Sequence, residues 1–184
     1  MFYTSKGDTG YTGLIGGERV AKESPRIEAL GALDEAISAI GLARALAVRE
    51  ESKPLLIHLQ RELSMLAAEV AAPDPGQLKR RICAEDVVSL ETDVEELSRW
   101  INNPHAFIAP GDTPGGGALH LARATVRRAE RRVTALAHQG ELRNEEVLRY
   151  LNRLSTLLYL LARADDQAAG IENPTLMHEM RMEE

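Results

Sequence analysis

Aromatic residues are scarce in this chain: two phenylalanines, one tryptophan and four tyrosines among 184 residues. With Ala and Leu predominant and 44% of residues hydrophobic, that composition favours packed helices over a sheet. Cysteine is nearly absent too. The single Cys83 excludes an internal disulfide framework and a cysteine-based zinc site, and fits a reducing compartment. There is no basic excess: 22 Lys and Arg stand against 28 Asp and Glu, a net charge of −6. General nucleic-acid binding needs a basic footprint, so it is excluded, and any anion site must be local. No apolar run reaches the ~18 residues that span a bilayer, so no membrane association is expected. The opening MFYTSKGDTG has neither the basic nor the apolar region of a signal peptide, which makes the cytoplasm the expected location. Glu-x-x-His is also missing, and with it the signature of a carboxylate di-iron bundle. What remains is one domain, all-α, long enough to bury a core.

Residues 1–23, MFYTSKGDTGYTGLIGGERVAKE, carry five glycines and read as a loop. Thr4, Lys6, Asp8, Thr9 and Thr12 interleave with Gly7, Gly10 and Gly13, so N–H groups, hydroxyls and a lysine can converge on an anion. A flexible arm is the other reading, and no Walker A pattern is present. Ser24 as N-cap and Pro25 at the first helical position open a helix to about Val48. Its apolar stripe is Leu30, Leu33, Ile37 and Ile40. A second stripe, Gly31, Asp34, Ser38 and Gly41, is small apart from one acid; it either meets another helix with a cation for Asp34, or faces solvent. A second helix from Ser52 has Leu55, Leu59, Leu63, Leu66 and Val70 inward and His58 at an interface. A third, over 84–102, carries a solvated acidic run. Residues 103–117 read as a Pro/Gly loop in which Phe107 and Ile108 are a plug for the bundle's end or a contact to a flat apolar ligand, with His105 and His120 as capping candidates. A last helix over 144–169 has Val147, Tyr150, Leu154, Leu157, Leu161 and Ala164 inward, and Asn152, Ser155, Thr156, Tyr159 and Arg163 on its other side. Residues 171–184 read as a ragged tail. The expected organisation is a loop at 1–23, a helical bundle at 24–170 and that tail.

The most informative stretch is 119–133, LHLARATVRRAERRV. At about 100° per residue, Arg123, Arg127, Glu130 and Arg131 share one arc beside the core-facing Leu119, Ala122, Val126, Ala129 and Val133. Arginine's planar fork matches phosphate, so the strip suits a di- or triphosphate; an interhelix ion-pair network is the alternative. By the same angles Arg128 and Arg132 point away.

Three stretches in order, YTSKGDTGYTGLIGGERVAKESPRIEALGALDE, FIAPGDTPGGGALHLARATVRRAERRV and VLRYLNRLSTLLYLLAR, resemble the ATP:cob(I)alamin (corrinoid) adenosyltransferases of the PduO type. The resemblance implies a five-helix bundle with a glycine-rich N-terminal loop, assembled as a homotrimer with ATP held between subunits. Carried over by position, Thr4, Ser5, Lys6, Gly7, Thr12, Gly13 and Lys22 would line the nucleotide with Arg127, Arg128, Glu130, Arg131 and Asn152; this turns Arg128 toward the ligand, against the angular reading. Asp34 and Arg123 match an intersubunit ion pair, and Phe107 the aromatic that packs below the corrin and keeps the lower axial ligand off cobalt. The implied reaction is attack of Co(I) of reduced cobalamin on C5′ of ATP, releasing triphosphate, with Mg²⁺ accompanying the nucleotide, no dedicated protein metal ligands, and a flavoprotein reductase as candidate electron donor. The chain departs from the family at Ser5, where Lys or Arg usually follows the loop threonine, at Thr156, where the family has Asp, and within 34–38, which lacks the family's Asn. Those departures motivate a second reading, a non-catalytic ATP- or corrinoid-binding regulator or carrier; a purely structural helical assembly is a third.

Overall fold

A computed structural model of the chain describes residues 5–74, 76, 78–104 and 106–178. Two short strands, β1 (Tyr11–Gly13) and β2 (Arg19–Ala21), precede five helices: α1 (Pro25–Leu46), α2 (Ser52–Val70), α3 (Ala84–Ser98), α4 (Pro114–His138) and α5 (Glu145–Ala168). The strands correct the expectation of a plain loop. Tyr11 lies opposite Ala21, Thr12 opposite Val20 and Gly13 opposite Arg19. Gly16 and Gly17 supply the positive φ values, 100° and 90°, that turn the chain between them. Ile15 N–H donates to the Ala71 carbonyl at 3.1 Å, so the hairpin is fastened to the end of α2.

The helices form because each carries an apolar face at helical spacing and buries it against a neighbour. α4 lies between α1 and α5; α2 packs on α1, and α3 on α5. Leu33 and Ile40 of α1, Leu59, Leu63 and Leu66 of α2, Val87 of α3, Val126 and Val133 of α4, and Leu154, Leu157 and Leu161 of α5 are all fully enclosed. Burying a side chain of this size contributes about 1.5–3 kcal/mol, so one shared core dominates stability. Leu30 and Ile37 pack on its edge. α1 and α4 run antiparallel, with Arg132 near Glu28 and Arg128 paired to Glu35. Ser24 and Pro25 do start α1, but the Ser24 side chain makes no capping bond.

α4 begins earlier than its sequence suggests. Pro114, Gly115, Gly116 and Gly117, expected in a loop, form its first turn, with the Thr113 hydroxyl accepting from Gly116 N–H at 2.9 Å. The glycines are required by what lies against them: a Cβ on Gly115 would collide with the Asp165 carboxylate, and one on Gly116 with that of Asp166. Close approach outweighs the poor helix propensity of glycine. α3 ends at Ser98 and leaves Trp100 half exposed, with the Arg49 guanidinium 5.0 Å from its ring centroid.

The polar side of α5 needs a larger correction. Ser155 is buried, and Arg163 is completely enclosed at 0% exposure. Its Nη1 donates to Asp166 Oδ2 at 3.0 Å, while Thr113 Oγ1 donates to the other Asp166 oxygen at 2.7 Å. Asp165 Oδ1 accepts the N–H groups of Val48 and Arg49, each at 2.9 Å. Residues 171–178 are not ragged: Ile108 and Leu176 form an antiparallel bridge, Ala109 N–H donates to Thr175 O at 2.7 Å, and Met177 N–H to Phe107 O at 2.8 Å. Asp112 Oδ2 accepts Thr175 N–H at 2.9 Å.

Candidate functional site

On α4, Arg127, Glu130, Arg131 and Thr134 follow i, i+3, i+4, i+7 spacing and so share a face. With Asn152 of α5 they line an open groove of about 290 Å³. Neither Arg127 nor Arg131 makes an ion pair among the described residues, although Glu130 lies between them. Asn152 Nδ2 instead donates to Glu130 Oε1 at 3.2 Å, and Arg153 Nη1 donates to Asn152 Oδ1 at 3.0 Å. The carboxylate is thereby drawn toward α5 and two guanidinium forks are left facing solvent. That is the electrostatic arrangement of an anion site.

Arg128 is not in the groove; its guanidinium pairs with Glu35 on the α1 side, as its helical angle suggested. Thr134 is in the groove, and sequence reasoning missed it. The signal was present, since it completes the i+7 position from Arg127.

The N-terminal segment brings some predicted residues together. Thr4 lies outside the described residues. Ser5 has φ of 56°, and Asp8 N–H donates to its carbonyl at 3.2 Å. Lys6 offers its carbonyl to Arg19 Nη2 at 2.7 Å. Lys22 lies over Gly7, its Nζ 3.2 Å from where a Cβ would stand, and Lys22 N–H donates to Gly10 O at 2.8 Å. Thr12 and Gly13 sit on β1. Among the described residues no hydrogen bond or ion pair joins this segment to the α4/α5 groove of the same chain.

Two further predicted residues stand apart. Asp34 is exposed on α1 with no ion pair among the described residues, beside exposed Gly31 and Ser38. Arg123 is half buried on α4, with an enclosed Nε that has no hydrogen-bond partner among the described residues. Within one chain the two do not pair.

Ahead of α4 stands Phe107, which is 84% exposed while its carbonyl is held by Met177 N–H. His105 lies outside the described residues. His120 is buried rather than capping; its ring meets Tyr159 edge to face at 5.8 Å, and its Nδ1 has no partner among the described residues. Burial, and then the nearby Arg123 charge, push the His120 pKa below its ordinary value. Tyr159 donates its hydroxyl to Asn103 Oδ1 at 2.5 Å, and burial raises its pKa.

A second, larger cavity of about 940 Å³ lies at the opposite end of the bundle, between Arg26, Glu69, Arg81 and Arg143. Two of its charged groups are engaged within the chain: Arg26 pairs with Glu141, and Glu69 accepts from Ile82 N–H and Asn144 Nδ2. Among the described residues no cluster of three metal-ligating side chains occurs, and no helix is long and apolar enough to cross a membrane.

The molecule is a helical bundle with an arginine-lined groove between its fourth and fifth helices and an outward aromatic ahead of the fourth. The family model described as cobalamin adenosyltransferase matches residues 2–165, and the chain belongs to that family. It is 40% identical over 173 residues to the corrinoid adenosyltransferase PduO of Salmonella typhimurium, covering 93% of this chain and 51% of that protein. The chain thus spans about half the length of that relative and of the PduO from Citrobacter freundii. A corrinoid adenosyltransferase of Bacillus subtilis is 39% identical, over 92% of this chain and 88% of its own length. Among solved structures, a variant PduO-type ATP:corrinoid adenosyltransferase from Lactobacillus reuteri, complexed with cobalamin and ATP, superposes with a TM-score of 0.88 at 29% identity, over 97% of this chain and all of that one.

Proposed function

We propose that this chain transfers the 5′-deoxyadenosyl group of ATP to the cobalt of a reduced corrinoid, cob(I)alamin, giving adenosylcobalamin and triphosphate. The observation that carries the reading is the pair of unpaired guanidiniums, Arg127 and Arg131, facing one groove in a member of this family. Cob(I)alamin supplies the nucleophile: its cobalt electron pair forms the bond to C5′ as the C5′–O bond to triphosphate breaks. The protein's part is alignment and charge. Arg127 and Arg131, joined by Lys22 of a neighbouring subunit's loop, bind the triphosphate and stabilise the negative charge that gathers on it as it leaves. No proton is transferred at carbon, so no general base is needed.

The Lactobacillus reuteri protein supports the placement of both ends of the site. Its solved variants replace a phenylalanine, in the complex with cobalamin and ATP, and an arginine, in a complex with ATP; the two positions have the same separation along the chain as Phe107 and Arg127. Phe107 is then the residue that lies below the corrin. Mg²⁺ fits as a companion of the nucleotide rather than as a protein-held ion, since among the described residues Glu130 is the one carboxylate lining the groove and Asn152 already engages it.

The same reading makes the molecule a homotrimer with shared sites. Asp34 has no ion pair among the described residues and stands on an exposed face of small residues, and Arg123 is a half-buried cation on the adjoining helix; pairing them across subunits supplies the acid with its counter-charge. The loop of 5–22 would then meet a neighbour's groove, in keeping with its lack of contact with its own. A flavoprotein reductase as electron donor and a cytoplasmic setting complete the proposal.

The test is turnover of chemically reduced cob(I)alamin with MgATP, followed as loss of the Co(I) absorbance, in the parent and in Arg127→Ala. Activity in the parent with at least a hundredfold loss in the variant is expected, since removing a donor aimed at charge that develops in the transition state costs about 3 kcal/mol or more. ATP binding without turnover in the parent would point to the carrier reading.

A further inference from the structure

We infer that Thr134 is a specificity-determining residue of the α4/α5 groove, accepting a hydrogen bond from an N–H or O–H on the nucleoside end of the bound nucleotide; this rests on the nucleotide reading of the groove given above. The argument turns on one proton. Thr134 Oγ1 donates to the Glu130 carbonyl at 2.8 Å, so its single hydroxyl proton is committed to the helix backbone. A hydroxyl has one proton and two acceptor lone pairs, and toward the groove Thr134 can therefore only accept.

Glu130 shares that character. Its carboxylate accepts only, Asn152 Nδ2 occupies Oε1, and no hydrogen bond or ion pair among the described residues takes Oε2. The orientation of the Asn152 amide is fixed from both sides, by Glu130 on its nitrogen and Arg153 on its oxygen. The groove thus offers both kinds of partner. Arg127 and Arg131 present donors and nothing else; Glu130, set between them, and Thr134, at the end of the groove farthest from Arg127 along α4, present acceptors.

A triphosphate chain satisfies the first pair and is refused by the second, because its oxygens have no proton to give at neutral pH. Only a group bearing N–H or O–H can use the acceptor edge. On ATP these are the ribose hydroxyls and the exocyclic amine of adenine, both remote from the terminal phosphates. Thr134 lies seven residues beyond Arg127, roughly 10 Å along the helix axis, so one extended nucleotide can engage both. Thr134, the acceptor farthest from Arg127, then sets the direction in which ATP lies, with the phosphates toward Arg127 and the nucleoside toward Thr134.

The test compares Thr134→Val, which keeps the volume and removes the acceptor, with Thr134→Ser, which restores the hydroxyl. Initial rates would be measured with ATP, 2′-deoxy-ATP, 3′-deoxy-ATP and inosine triphosphate. The expected result is a KM for ATP raised about two- to tenfold in Thr134→Val at unchanged kcat, with recovery in Thr134→Ser. One analogue should be insensitive to the substitution because it already lacks the donor: a deoxynucleotide if the ribose is read, inosine triphosphate if the amine is. An unchanged KM, an equal rise for all four nucleotides, or a fall in kcat alone would overturn the assignment while leaving the adenosyltransferase reading intact. A parent protein that bound no ATP by calorimetry would overturn both.

Discussion

His120 illustrates how a residue placed for packing becomes sensitive to pH. Its ring is enclosed against Tyr159, with Arg123 and Arg163 as nearby cations and Asp166 and Asp112 as nearby anions; burial is the largest influence, and it disfavours the charged ring. The folded pKa is below the ordinary 6.5, so between those two values the unfolded chain holds the extra proton. Stability is therefore full above about pH 6.5 and is lost as pH falls from there toward the folded value. Thermal unfolding between pH 7 and 5 should show a falling Tm, and His120→Phe should flatten part of that slope. The glycines of α4 are as exacting in a different way. Gly116→Ala should destabilise the fold by about 1–3 kcal/mol, because the added methyl must displace the Asp166 carboxylate from its bonds to Thr113 and Arg163. Denaturant unfolding would read that loss, and a midpoint equal to the parent's would count against the close approach.

At the scale of elements, the helices were legible because their apolar residues repeat at helical spacing, and the groove was legible because arginines on one arc stand out against an acidic chain. Three things were not. The β1–β2 hairpin has strands too short for alternation to register among five glycines. The first turn of α4 has the composition of a loop, and only its contact with Asp165 and Asp166, some fifty residues away, explains it. The strap at 171–178 is held through backbone groups, which carry no side-chain signature. That strap fixes the carbonyl of Phe107 while its ring stays outside, so it sets where the aromatic stands. Asp112→Ala removes the acceptor for Thr175 N–H and should speed hydrogen exchange through 174–177 with little effect on helix content by circular dichroism. Accompanying loss of adenosylation rate with retained ATP affinity would tie the strap to the corrinoid end of the site.

For the whole molecule, the proposed pairing of Asp34 with Arg123 across subunits would make assembly a charge-dependent event. Asp34→Arg alone, or Arg123→Asp alone, should give monomers by light scattering, since each sets like charges across the proposed interface. The double exchange should restore the parent's mass and a share of its activity, and a monomeric parent would remove the shared site altogether. The glycine turn has a consequence for the order of folding as well. Gly115, Gly116 and Gly117 have almost no tendency to coil by themselves, so the start of α4 can close only after the end of α5 has delivered its two aspartates. Formation of this corner is conditional on a partner that the ribosome makes about fifty residues later, and it should be among the last parts of the molecule to gain protection during refolding.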